Sequence, residues 1–255
     1  SHRYRAIHER KIFFQLANYW ILTDRLSSEE SHRYDLYFHL AETAHSLTRL
    51  TTLGPCHLLQ APNLLIAQPD AHTSCAELEQ GFVAPEYGIK HPAPILKFSK
   101  EHAGNALFHT VILPFDGEPP VLQVKTLPVY PVGFMHETFS ASALKISITD
   151  SEGDAYEDYY FINHGEIEVE YDFGDIQCAA RVLLIRKNSQ GEIINFQGEQ
   201  VSYVKMGSSI LLEQLYGWGR VCYRKNCLTF TNTELSRSMT WQDLEIFPQW
   251  DDLLN

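Results

Sequence analysis

Hydrophobic and polar residues alternate along most of this chain with a period of two, which is what a strand with one buried face requires. From His32 to Leu40 the side chains of Tyr34, Leu36, Phe38 and Leu40 point one way, and those of Arg33, Asp35, Tyr37 and His39 the other. The same reading predicts strands over 12–17, 19–26, 57–67, 107–113, 143–149, 156–163, 166–173, 179–187, 209–215, 220–223 and 228–232. These runs recur about every ten residues with turn residues between them, the rhythm of an antiparallel sandwich. Asn163-His164-Gly165 and Asn188-Ser189-Gln190-Gly191 have hairpin-turn composition, with glycine available for positive φ. Helix is scarce: Glu42 to Leu50 is one short candidate, and Thr240 caps a possible turn ending at Leu244. The expected fold is all-β, a large, mostly antiparallel β-sandwich of the supersandwich kind.

Proline is concentrated between residues 55 and 131, and Pro85, Pro92, Pro94, Pro119, Pro120, Pro128 and Pro131 are expected in loops and edge strands. The stretch from Pro114 to Gly133 separates this half from a more regular strand pattern. Residues 1–255 therefore read as one β region, subdivided into a main sandwich over 1–125 and a second β layer or subdomain over 126–255.

At 255 residues, 44% hydrophobic and 20% charged, the chain is long enough to bury a substantial core. No apolar run reaches the length of a membrane span; Ile12 to Leu22 is interrupted by Gln15 and Asn18. The formal net charge of -12, from 32 acidic and 20 basic residues, argues against nucleic acid as a partner, since a polyanion groove concentrates Lys and Arg. Five cysteines exclude complete pairing within one chain. A turn at Lys225-Asn226 could join Cys222 to Cys227, but buried thiols are the favoured reading. The first methionine is Met135, and Ser1-His2-Arg3-Tyr4-Arg5 leads into strand sequence without a signal region, so the chain reads as a piece of a larger protein.

Four residues have metal-ligand chemistry on neighbouring predicted strands: His8, Asp24, His32 and His39. Alternation divides them, because His32 shares the Tyr34 face while His39 takes the opposite one. The favoured reading is hydrogen-bonded histidines at strand edges, with Asp24 closing a hairpin, and no metal site. Substrate contact is expected instead from Trp218, Arg220, Tyr223 and Arg224, where an aromatic and cationic run can stack on sugar rings and meet carboxylates. The acidic residues from Asp150 to Asp158 lack the spacing of a calcium loop and read as a solvated turn. No nucleophile elbow or phosphate-cradling glycine loop occurs.

The segments His8-Glu9-Arg10-Lys11-Ile12-Phe13-Phe14, Tyr19 through Leu26, His32 through Leu40, Gly81 through Pro94 and Phe108 through Pro114 resemble the heparinase II/III family. The resemblance is good through Pro114 and weaker beyond. It implies a modular parent, an α-helical toroid followed by a β-sandwich, that cleaves uronate-containing polysaccharides such as heparan or alginate by β-elimination. It also implies a periplasmic or secreted location, and a divalent metal such as zinc in a site upstream of these strands. The family's catalytic tyrosine and its His-x-His-x-Asp metal signature have no counterpart in this chain, so no catalytic or metal residue carries over. The expected role is a non-catalytic sandwich that supports the toroid partner and its cleft for acidic polysaccharide; the alternative is a glycan-binding or scaffold module. Trp20 and Tyr37 are expected to point outward, toward the partner domain, while Tyr19 and Leu36 fill the core.

Overall fold

The computed structural model describes residues 5–15, 18–136, 138, 140–165, 169–213, 220–224, 227–231 and 236–240, the last three stretches beyond residue 222 as backbone only. The chain forms two compact units, residues 1–125 with 150–152 and residues 126–149 with 153–255. Among the described residues the regular structure is strand throughout, apart from one 3-10 turn, and every sheet is antiparallel. No helix among them is long and apolar enough to cross a membrane.

The first unit holds β1 (Ala6–Gln15), β2 (Tyr19–Ser28), β3 (Ser31–His39), β4 (Arg49–Leu53), β5 (Cys56–Ala61), β6 (Leu64–Pro69), β7 (Cys75–Val83), β8 (His91–Ala103) and β9 (Ala106–Pro114). A six-stranded sheet runs in the order β1-β2-β9-β6-β5-β4, and a three-stranded sheet in the order β3-β8-β7. Tyr34, Leu96 and Phe98 of the small sheet share one buried core with Ile66, Ala106 and Phe108 of the large one. Burying these alternate side chains on two inner faces is what closes the sandwich. Tyr19 and Ile21 are fully buried while Trp20 between them is 36% exposed, but Ile21, Leu22, Thr23 and Asp24 are buried in succession, so both faces of β2 are covered there and burial does not alternate as expected.

In the second unit, following β10 (Val121–Leu127) and β11 (Tyr130–Pro131), come β12 (Ala141–Thr149), β13 (Ala155–Asn163), β14 (Tyr171–Phe173), β15 (Ile176–Ala179) and β16 (Val182–Asn188). The chain continues through β17 (Ile193–Glu199), β18 (Tyr203–Met206), β19 (Ser209–Glu213), β20 (Arg220–Arg224), β21 (Cys227–Thr231) and β22 (Ser236–Thr240). The strands β12-β13-β16-β17-β20-β21-β22 lie side by side in that order, and β11-β14-β15-β18-β19 form a second sheet. Phe161 is fully buried between them, stacked on Phe173 at 5.2 Å and tilted against Tyr171 at 5.6 Å. The β16–β17 hairpin turns at Gly191 with φ 82°, and Asn188 Oδ1 accepts hydrogen bonds from the amides of Gln190 and Glu192. Burial pushes the Cys178 thiol well up, and that of Cys56 in the first unit up to about 11, so both are inert protonated thiols. Cys222 opposes Thr229 and Cys227 opposes Arg224, so the two are not cross-strand partners.

Several expectations need correction. Glu42 to Leu50 is not a helix: a 3-10 turn covers Glu42–Ala44, and β4 begins at Arg49 because Leu50 and Thr51 pair with Leu59 and Leu58. The run 57–67 is two strands joined by a tight turn, with Ala61 opposite Leu64. The run 179–187 is likewise split between β15 and β16. Pro92 and Pro94 lie inside β8, the central strand of its sheet, rather than in a loop or edge strand. They are tolerated because the β3 ladder ends at Ile95, and the bond Pro94 makes on that side is one it accepts, from the Leu40 amide at 3.1 Å, so no N–H is asked of it there. Residues 16–17, 166–168, 214–215, 232 and 241–244 of the expected elements lie outside the described residues.

Candidate functional site

The β1–β2 hairpin sets Arg10 opposite Asp24, Ile12 opposite Leu22 and Phe14 opposite Trp20. Asp24 also faces Phe108 of β9. Residues paired across an antiparallel ladder point to the same side, so His8, Arg10, Ile12 and Phe14 share the sheet face that carries Phe108 toward the core. Asp24 is 1% exposed, in mid-strand rather than closing a hairpin as the sequence suggested. A carboxylate there requires compensation. Arg10 supplies it, Nε donating to Oδ1 at 2.6 Å and Nη2 to Oδ2 at 3.2 Å, and His8 Nε2 lies 2.5 Å from Oδ1.

Beside this cluster lies a cleft of about 300 Å³ in the first unit, lined by His8, Asp24, Leu26 and Phe108 from the large sheet and by His32, Tyr34 and Leu36 from β3, with Arg33 and Asp35 at its rim. Three of the four candidates with metal-ligand chemistry thus meet at one cleft, and His39 does not, since it points to the other face of β3. No group of three His, Cys, Asp or Glu side chains among the described residues is disposed to hold a metal ion. The Asp24 carboxylate already carries a guanidinium on both oxygens, which leaves it little capacity as a ligand. His8 turns Nε2 to Asp24, and its side chain is half exposed. The ring of His32 meets that of Tyr34 edge-on at 5.9 Å. The Tyr34 hydroxyl is buried and has no hydrogen-bond partner among the described residues.

The rim is charge-balanced. Asp35 accepts from the Ser99 hydroxyl at 2.6 Å and from Arg33 Nε at 3.0 Å, and these bonds, Ser99 foremost, hold its carboxyl below the ordinary range. On the same outer face Lys97 is clamped by Glu77 and Glu79, beside Tyr37, which is 47% exposed. Tyr37 does point outward, as alternation predicts, but away from the core, whereas Trp20 stands on the core-facing side of the large sheet beyond its cover. Trp20 and Tyr37 therefore belong to different sheets, Trp20 on the inner face of the large one and Tyr37 on the outer face of the small one.

Beneath the cleft Lys100, the register partner of Tyr34, donates Nζ–H to the Leu107 carbonyl at 2.9 Å and lies over the Phe108 ring. Burial pushes its pKa down, Asp70 opposing only in part. The unfolded chain then binds this proton more tightly than the folded one, so stability rises with pH from the depressed folded value up to the ordinary lysine value of about 10.4. Urea denaturation between pH 7 and 10 should show this rise, and Lys100→Met should flatten it; an unchanged slope in the variant would show that other groups carry it.

The sugar contacts expected from sequence belong to the second unit. Trp218 lies outside the described residues. Arg220 is exposed in β20, opposite Glu199 and Thr231, while Tyr223 and Arg224 occupy the same strand opposite Phe196 and Asn195. The acidic run from Asp150 to Asp158 is divided: Asp150 Oδ1 caps a turn at the Glu152 amide, Glu157 pairs with Lys145, and Asp158 is fully buried against Arg186. Sequence reasoning passed over Arg10, Tyr34, Phe14 and Phe108 as site residues, and only a hairpin centred near residue 17, pairing 10 with 24, would have signalled the first.

Residues 1–126 match the family model described as heparinase II/III-like, C-terminal. No curated protein matches the chain.

Proposed function

From the premise that residues 1–126 are a heparinase II/III-like C-terminal domain, and so a polysaccharide lyase-related module, we propose that the chain is the non-catalytic β-sandwich portion of a lyase that cleaves uronate-containing glycans by β-elimination. The family match is the observation that carries this reading. In it, an α-helical toroid supplies the reacting groups and any divalent metal such as zinc, the protein works in the periplasm or outside the cell, and the sandwich supports one wall of the cleft for acidic polysaccharide. Elimination needs a base at the uronate C5 proton, an acid at the leaving oxygen and a cation to stabilise the enediolate. The cleft beside Asp24 has the residue types but not the arrangement. Arg10 is committed to Asp24, and the Tyr34 hydroxyl is buried away from solvent.

The test follows unsaturated-uronate absorbance with heparan, alginate and polyglucuronate, for this chain alone and joined to its toroid. Product is expected only from the joined protein. Turnover by the chain alone, lost in His8→Ala, would instead make the cleft an active site.

A further inference from the structure

One face of β1 carries, in line, an exposed aromatic stack, an aliphatic residue, a neutralised ion pair and a polar cleft. Phe14 and Trp20 stack at 4.9 Å with 22° between their planes and are 44% and 36% exposed, and Ile12 beside them is 63% exposed. Next come Arg10 on Asp24, and then His8 at the mouth of the 300 Å³ cleft. At about 3.4 Å per residue, His8 to Phe14 spans roughly 20 Å. Among the described residues β1 is the edge strand of its sheet, so one side of this line has no neighbouring strand among them.

We propose that this line is a binding track for a glycan chain of neutral pyranose units, with the cleft receiving a terminal ring. The chemistry is that of a pyranose, which has an apolar C–H face and a hydroxyl rim. Contiguous exposed aromatic and aliphatic groups on a soluble domain mark a binding surface. In the cleft, Leu26, Leu36 and Phe108 supply apolar lining beside the His8 and His32 imidazoles, the mixture of apolar lining and few polar groups that small-ligand cavities of this size show. Charge decides which sugar. Arg10 is matched by Asp24 and Arg33 by Asp35, so both guanidinium charges are already balanced within the protein, and the track carries no unmatched arginine to favour a polyuronate over a neutral chain. The site is distinct from the eliminative reaction and stands or falls separately from it.

The test uses the whole chain and titrates cellohexaose, mannohexaose and hexamannuronate by calorimetry, with the imidazole resonances of His8 and His32 followed by NMR. At least one neutral hexasaccharide should bind at a Kd below about 1 mM and shift those resonances, an affinity equivalent to about 4 kcal/mol. Phe14→Ser, Trp20→Ser and His8→Gln should each weaken it at least tenfold, with thermal midpoints confirming that the variants fold. Arg220→Ala should leave binding unchanged. Failure of every probe to bind, binding confined to hexamannuronate, or binding lost in Arg220→Ala but kept in Phe14→Ser and Trp20→Ser would each overturn the proposal, whatever the lyase assay gives.

Discussion

Asp158→Ala should destabilise the protein by about 3–5 kcal/mol, the usual cost of stripping one partner from a buried ion pair. Asp158 is fully buried, and Arg186 Nε and Nη2 reach its two oxygens at 2.7 Å each. The register explains the pairing: β13 and β16 place Asp158 opposite Arg186, so the two side chains emerge on one face at adjacent positions. Arg186 also lies 3.9 Å over the Tyr156 ring, which holds the guanidinium in place after its carboxylate is removed. The guanidinium then stays desolvated after losing its bidentate carboxylate. Urea denaturation measures the loss. The double variant Asp158→Leu with Arg186→Met should recover most of it, because removing both charges also removes their desolvation. If the single variant loses under 1 kcal/mol, water reaches Arg186 and the pair is not structural.

Phe98→Ala should cost about 3–5 kcal/mol through lost apolar burial and the cavity left behind. Phe98 is fully buried at the centre of the three-stranded sheet, edge-on to Phe38 at 6.0 Å and stacked on His57 at 6.2 Å. It shares the first unit's core with Phe108 and Tyr34, which line the candidate cleft, so the variant also tests whether that cleft depends on sandwich packing. Hydrogen exchange should show protection falling first in β3, β7 and β8. A loss under 1 kcal/mol would mean that the two sheets do not depend on this residue for their packing.

Alternation told the two faces of each strand apart with little ambiguity. It separated His32 and Tyr34 from Arg33, Tyr37 and His39, and Tyr19 from Trp20, because the side-chain period of an extended chain is a local property of the backbone; it did not say which side is the core, since Trp20 shares the core-facing side with Asp24 and Phe108 while Tyr19, also buried, takes the opposite one. Segments 8–14, 19–26 and 32–40 also carried the family resemblance within the residues that match it. Boundaries were less legible where signals competed. Leu50 looked helical but is held in β4 by its pairing with Leu59, and Pro94 looked like a loop residue but sits in β8 just past the end of the β3 ladder, where its carbonyl accepts from the Leu40 amide and no N–H is needed.

The candidate site belongs to the other class of fact. His8, Asp24 and His32 are visible as residue types, yet nothing local states that Arg10 falls opposite Asp24 or that β3 covers Phe108. Those facts depend on a hairpin register and on one sheet packing over another. Asp24 shows why this matters: in the sequence it is an ordinary polar residue within the run 19–26, and only the tertiary structure buries it and brings the guanidinium that makes its burial tolerable. Strand faces are thus written in the spacing of neighbours, while the meeting of charges and imidazoles at one cleft is decided by long-range pairing and sheet stacking, whose energies no window of adjacent residues contains.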